Sequence, residues 1–260
     1  MSREHHLVPC EGETLVATLD RTDGDAGLLI VSGGNEPRNG AYAGQSRLAA
    51  RIAARGYPVL RFDRRGVGDS TGTNAGFRAS AADIEAAIAC LRRECPQLRR
   101  VVGFGNCDAA SALLLGAGFG LEALVLCNPW TFDDDARQDI LPEDVKARYW
   151  AKLRNPREIA RLIGGQVSIK GVARSIGRAA TGKHRVSELG AHLDEAIAAF
   201  DGEVRILLAG RDRTARVFRA NCPEAALQAS LREQADHAFT DPADHRWLED
   251  QIAAVLEGEI

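Results

Sequence analysis

Five short apolar runs, 28–31, 59–62, 100–103, 123–126 and 204–208, set the limits on how this chain folds. Leu28-Leu29-Ile30-Val31 and Ala123-Leu124-Val125-Leu126 are unbroken, and Val204-Arg205-Ile206-Leu207-Leu208 nearly so. A strand that is apolar on both sides must be covered on both faces, which is the habit of parallel sheets flanked by helices. The intervening segments carry helical periodicity. Residues 45–55 put Leu48 and Ile52 on one face and Arg47, Arg51 and Arg55 on another. After Ser80-x-x-Asp83, which reads as a helix start, Ile84, Ile88 and Leu91 form a second apolar stripe. The alternation predicts an α/β architecture, a mostly parallel central sheet with helices on both faces. Residues 6–10 and 13–19, joined at Glu11-Gly12, predict an antiparallel start. A last strand is expected near 226–231, and a terminal helix over 242–256.

A length of 260 residues suits one such domain. The strand–helix rhythm breaks once, between Pro129 and about Phe200, a span far longer than an ordinary connection. Helical stretches at 141–153 and 155–163 predict an inserted helical cap. The expected organisation is therefore a core of residues 1–128 and 201–260 with a cap at 129–200. The cap is charged in one direction: residues 145–185 hold eleven Lys or Arg against one acid, Glu158, in a chain whose net charge is −3. That overall charge carries no nucleic-acid signature. No run approaches about 18 apolar residues, and the first residues lack a signal-peptide pattern. Six cysteines without CxxC spacing, in a chain this long, fit a reducing cytoplasm and no disulfide scaffold.

Chemistry concentrates in Val101-Val102-Gly103-Phe104-Gly105-Asn106-Cys107-Asp108-Ala109-Ala110. A β-branched run ends at a Gly-flanked turn and passes at once into a helix of small residues. This is the order of a nucleophile elbow, with Cys107 at the apex and small residues two before and two after it, where strand and helix backbones pass closely. The reactive form of cysteine is the thiolate, which a helix N-terminus favours and the neighbouring Asp108 carboxylate opposes. A buried, inert thiol is the alternative reading of Cys107. Gly103-Phe-Gly105 does not open a dinucleotide fingerprint, because the third glycine position holds Asp108. A thiolate doing acyl transfer needs a base and a group to orient that base. Asp212, just past a strand end, and His237, in a loop before the last helix, both fall at the C-terminal edge of the sheet. No metal-ligand spacing, phosphate-cradling loop or cofactor motif is present.

The elbow, with a later acid and then a histidine, and Asp63-x-Arg65-Gly66-x-Gly68-x-Ser70 resemble the α/β-hydrolase superfamily over nearly the whole chain. More narrowly, Gly-Asn-Cys107-Asp-Ala-Ala-Ser with Arg61-Phe-Asp-Arg-Arg-Gly resembles the exosortase A system-associated hydrolases, although Ala109 stands where that pattern more often has glycine. The resemblance implies an α/β-hydrolase fold with Cys107 as nucleophile, His237 as base and then acid, and Asp212 as its orienter. It implies an oxyanion hole from the backbone N–H of Asp108 and Gly34, with Asn35 as an alternative donor. It implies as substrate an ester or thioester, split by hydrolysis or passed to another acceptor through an acyl-cysteine. The basic run adds a further expectation, that the acyl group is presented on coenzyme A, on an acidic carrier protein or at an anionic surface. A non-catalytic scaffold of the same fold, binding a partner, is the rival from another class. Asp63, Arg65 and Gly66 are expected to hold a loop.

Overall fold

A computed structural model describes residues 2–132 and 186–258; the helical stretches at 141–153 and 155–163 and the basic run lie outside the described residues. Eight strands form one sheet in the order β1-β2-β4-β3-β5-β6-β7-β8. The strands are β1 (Ser2–Cys10), β2 (Glu13–Arg21), β3 (Ala26–Val31), β4 (Val59–Phe62), β5 (Arg100–Asn106), β6 (Ala123–Cys127), β7 (Glu203–Ala209) and β8 (Ser230–Arg232). β1 and β2 pair antiparallel, as do β2 and β4, and every other pairing is parallel. The apolar runs are the central strands, and alternate residues of each serve opposite faces. Leu29, Val31, Leu60, Phe62, Leu124 and Leu126 pack with α2 (Ala81–Glu94) and α3 (Asp108–Leu115). Leu28, Ile30, Val102, Phe104 and Val125 pack on the other side. There they meet α1 (Gly44–Ala54) and the last helix, whose Leu248, Ile252 and Val255 are buried.

Four details depart from the sequence expectation. Helix α4 (Glu188–Ala199), within the stretch expected as cap, buries Leu189 and Leu193 in the same core as α2 and α3. Residues 213–221, for which no element was expected, form α5 (Arg213–Asn221), burying Ala215, Val217 and Phe218. The last strand, expected at 226–231, is present but starts later and is shorter: α6 (Pro223–Leu227) takes its first two residues, β8 covers Ser230–Arg232, and Leu227 is 88% exposed. Pro223 sits in the first turn, where its fixed φ favours helix, and the alanines after it continue one. Ser80 does not cap α2, since its hydroxyl donates to the Phe77 carbonyl and Asp83 accepts from the Arg65 backbone N–H. The last helix is α7 (Pro242–Glu257). Among the described residues, no helix is long and apolar enough to cross a membrane.

Candidate active site

Cys107 alone makes the turn between β5 and α3. Its φ of 62° and ψ of −127° are values an L-residue adopts only under constraint. Two backbone bonds impose it: Cys107 N–H donates to the Cys127 carbonyl at 2.9 Å, and Trp130 N–H donates to the Cys107 carbonyl at 3.2 Å. Gly105 explains why the flanking residues are small. A Cβ there would lie 2.7 Å from both the Ala109 carbonyl carbon and the Ala110 nitrogen. The thiol is only partly buried, whereas the other five cysteines are buried.

The structure brings Asp212 and His237 to this turn. Past the end of β7, Asp212 caps α5, and its Oδ2 accepts both the Ala215 N–H at 3.2 Å and Nδ1–H of His237 at 2.9 Å. Burial pushes the Asp212 carboxyl up, but hydrogen bonds from His237 and from the Thr214 and Ala215 amides outweigh it and hold the group below its usual range. The His237 imidazole is raised to about 10, first by its bond to Asp212 and next by a side-chain hydrogen bond with Cys107. With Nδ1 on the carboxylate, Nε2 is the nitrogen left for the thiol. The two neighbouring acids have other work: Asp236 accepts from Thr240 N–H at 2.9 Å, and Asp241 caps α7 through Ala243 N–H at 2.8 Å.

Two asparagines that the sequence reading did not single out fix the histidine loop. The Asn106 Nδ2 donates to the His237 carbonyl at 2.9 Å, and the Asn128 Nδ2 reaches the same oxygen at 3.2 Å and Asn106 Oδ1 at 3.0 Å. Asn128 is fully buried at φ 43°, a left-handed conformation asparagine tolerates, and its Oδ1 accepts Ala209 N–H at 2.8 Å. One side chain thus ties the ends of β5, β6 and β7 to the loop. Its only sequence signal is a polar residue directly after an apolar strand.

The expected oxyanion donors sit differently. Asp108 opens α3, so its N–H has no acceptor within the helix and adjoins the thiol. The Gly34 N–H, however, donates to Asp108 Oδ1 at 2.7 Å. Asn35 Oδ1 accepts from Asn74 at 2.7 Å. Asp63 binds the loop as expected: its carboxylate accepts from the Arg38 side chain and backbone and from Asp69 N–H, and its carbonyl takes the Ser70 hydroxyl at 2.7 Å. Arg65 closes the same turn onto Asp83. Elsewhere among the described residues, His6, Cys90 and Glu94 bring ligand-type atoms within 4.8 Å of one another, but Glu94 is already paired with Arg21 and Arg93.

A family model described as the alpha/beta hydrolase family matches residues 28–257. The chain belongs to that family. Solved structures share the fold at low identity. An esterase from Pyrococcus furiosus is 15% identical with a TM-score of 0.64, over 98% of this chain and 92% of that one. An alpha-beta serine hydrolase homologue from Coxiella burnetii is 14% identical with a TM-score of 0.61, over 98% of both chains. The thioesterase domain from the curacin biosynthetic pathway is 12% identical with a TM-score of 0.58, over the whole of both chains. No curated protein matches the sequence.

Proposed function

We propose that this alpha/beta hydrolase splits an ester or thioester through an acyl-cysteine intermediate, with Cys107 as nucleophile, His237 as acid and base, and Asp212 as the group orienting His237. The observation that carries the reading is the 2.9 Å hydrogen bond from His237 Nδ1 to Asp212 Oδ2, in a ring whose pKa is raised by Asp212 and then by Cys107. With the proton held on His237 as the imidazolium, Sγ attacks the acyl carbon and the carbonyl electron pair moves onto oxygen. Collapse expels the alkoxide or thiolate, which takes the proton from His237. Water then gives a proton to His237 and attacks the acyl-cysteine, and Sγ leaves as the carboxylic acid forms. An acceptor other than water in that second step makes the same site an acyltransferase. The Gly105–Ser111 and Arg61–Gly66 stretches support placement near the exosortase A system-associated hydrolases. The buried free cysteines favour a reducing cytoplasm.

A panel of acyl thioesters and p-nitrophenyl esters, assayed with wild type and Cys107→Ala, tests the proposal. Turnover is expected in wild type only, with melting curves of the two proteins alike, because the sulfur sits on an open turn. Equal turnover by Cys107→Ala removes the covalent mechanism. No turnover of any member, with Cys107 unreactive toward iodoacetamide, favours the binding scaffold.

A further inference from the structure

Gly34 is the expected second oxyanion donor, yet its N–H is already taken by Asp108 Oδ1 at 2.7 Å. We propose that the Asp108 carboxylate closes the oxyanion hole of the free enzyme and sets specificity: a substrate is accepted only when its non-reacting parts bind well enough to turn that carboxylate onto Arg64. The inference rests on the acyl-cysteine reading and adds a selecting residue to it.

Three observations meet at this point. First, the donor is occupied by a group of the charge that the hole exists to stabilise. A carboxylate there competes for the hydrogen bond and repels negative charge growing on the acyl oxygen. Second, an alternative berth for the carboxylate is built in. Arg64 is buried, donates through one nitrogen to the Gly34 carbonyl, and holds that nitrogen 3.9 Å from Asp108 Oδ2. Its Nη1 is buried with no hydrogen-bond partner. Turning Asp108 towards this guanidinium converts a distant ion pair into a hydrogen-bonded one and releases the Gly34 N–H. Third, the space for the closed position is reserved. A Cβ on Gly33 would lie 2.7 Å from Asp108 Oδ1 and 2.8 Å from the Asn106 carbonyl oxygen. Glycine therefore lets the carboxylate lie flat across the loop.

The consequence is a substrate filter. Binding energy from remote groups is spent on displacing Asp108, so a short acyl group that binds weakly reacts slowly even though the thiol is accessible. Removing the carboxylate opens the hole to any ester.

The test is stopped-flow release of p-nitrophenolate from p-nitrophenyl acetate, and from the longer p-nitrophenyl decanoate, by wild type, Asp108→Ala, Asp108→Asn and Cys107→Ala. Asp108→Ala is expected to raise the acylation rate on the acetate by about tenfold or more, part of the roughly 100- to 1000-fold that a single oxyanion donor supplies. The gain on the decanoate is expected to be smaller. Asp108→Asn is expected to gain less than Asp108→Ala, because its amide oxygen still accepts from Gly34. Damage to the fold lowers a rate and does not raise it, so the sign of the change is diagnostic. Should the alanine variant fail to fold, the near-isosteric asparagine variant must still exceed wild type. Rates at or below wild type in a folded Asp108 variant overturn the proposal. A burst that survives in Cys107→Ala overturns the acyl-cysteine reading instead.

Discussion

His237 and His245 lie close together in sequence, one on the loop before α7 and the other on α7 itself, and their surroundings drive them in opposite directions. His237 is 43% exposed in its side chain, faces the Asp212 carboxylate at 2.9 Å, and is raised to about 10. His245 is buried, and burial lowers it; a bond to the Gly44 carbonyl acts against this, while Arg51 and Arg47 add to it and Glu249 opposes them. Its Nδ1 takes a hydrogen bond from Arg51 at 3.2 Å, which requires an unprotonated nitrogen, and its Nε2 faces the Gly44 carbonyl at 3.4 Å. One ring is kept charged and half open to solvent; the other is kept neutral and closed. The partner, not the residue type, decides which histidine is fit to move a proton.

The sharpest way to break this contrast is to remove each ring in turn. His237→Ala is expected to lower kcat/KM by on the order of 1000-fold or more, since Sγ loses the imidazolium beside it and the leaving group loses its proton donor. It should also slow iodoacetamide labelling of Cys107, read by peptide mass mapping. His245→Gln should leave kcat/KM within about threefold of wild type. A comparable loss in both variants would mean that the site has been placed on the wrong histidine.

Next in size is Asp212→Asn, which removes the charge that makes His237 different. The drop in kcat/KM should be about 10- to 1000-fold, less than for a serine nucleophile because a thiol ionises more readily. The pH profile should report the cause. In wild type the imidazolium persists until pH rises through about 10, so the alkaline limb of kcat/KM falls there. The same sign holds for stability: a raised histidine contributes fully below 6.5, and its contribution is lost as pH rises from 6.5 to about 10. Without the carboxylate both the limb and the loss should move down towards 6.5. An unmoved alkaline limb in Asp212→Asn would assign that titration to another group.

The histidine loop is also held from beneath, and this part was not legible in the sequence. Asn128→Ala should destabilise the protein by about 2–3 kcal/mol, because it strands the buried Ala209 N–H and the partly buried Asn106 and puts alanine at a positive φ. Urea unfolding measures this, and activity at low urea should fall along with it as the His237 carbonyl loses an anchor. The central strands could be read because burial on two faces leaves continuous apolar runs, and the Cys107 turn could be read because Gly105 answers to Ala109 and Ala110 close by. The bonds from Asn128 to Ala209 and His237, and from Gly34 to Asp108, join residues far apart in the chain and leave no local pattern. The last strand is expected a few residues early, because the alanines after Pro223 continue a helix to Leu227 before β8 begins at Ser230.

The smallest effect expected is the pH response of His245. Its folded form takes a proton less readily than the unfolded chain, because protonation would cost the buried ring its bond from Arg51 and set two cations side by side. Above 6.5 the ring is neutral in both states and contributes nothing to the pH dependence. As pH falls below 6.5, the unfolded chain binds the proton first and stability declines. His245→Gln keeps a polar side chain in the space but cannot titrate, so its melting temperature should fall less than that of wild type between pH 7 and pH 5. The difference should be no more than about 4 °C for a chain of this size. The acid-side effect belongs to His245 and the alkaline-side effect to His237, so a His245→Gln, Asp212→Asn double variant should show both changes independently. If it does not, the two rings are coupled through α7 and its preceding loop, and the contrast between them is not set locally.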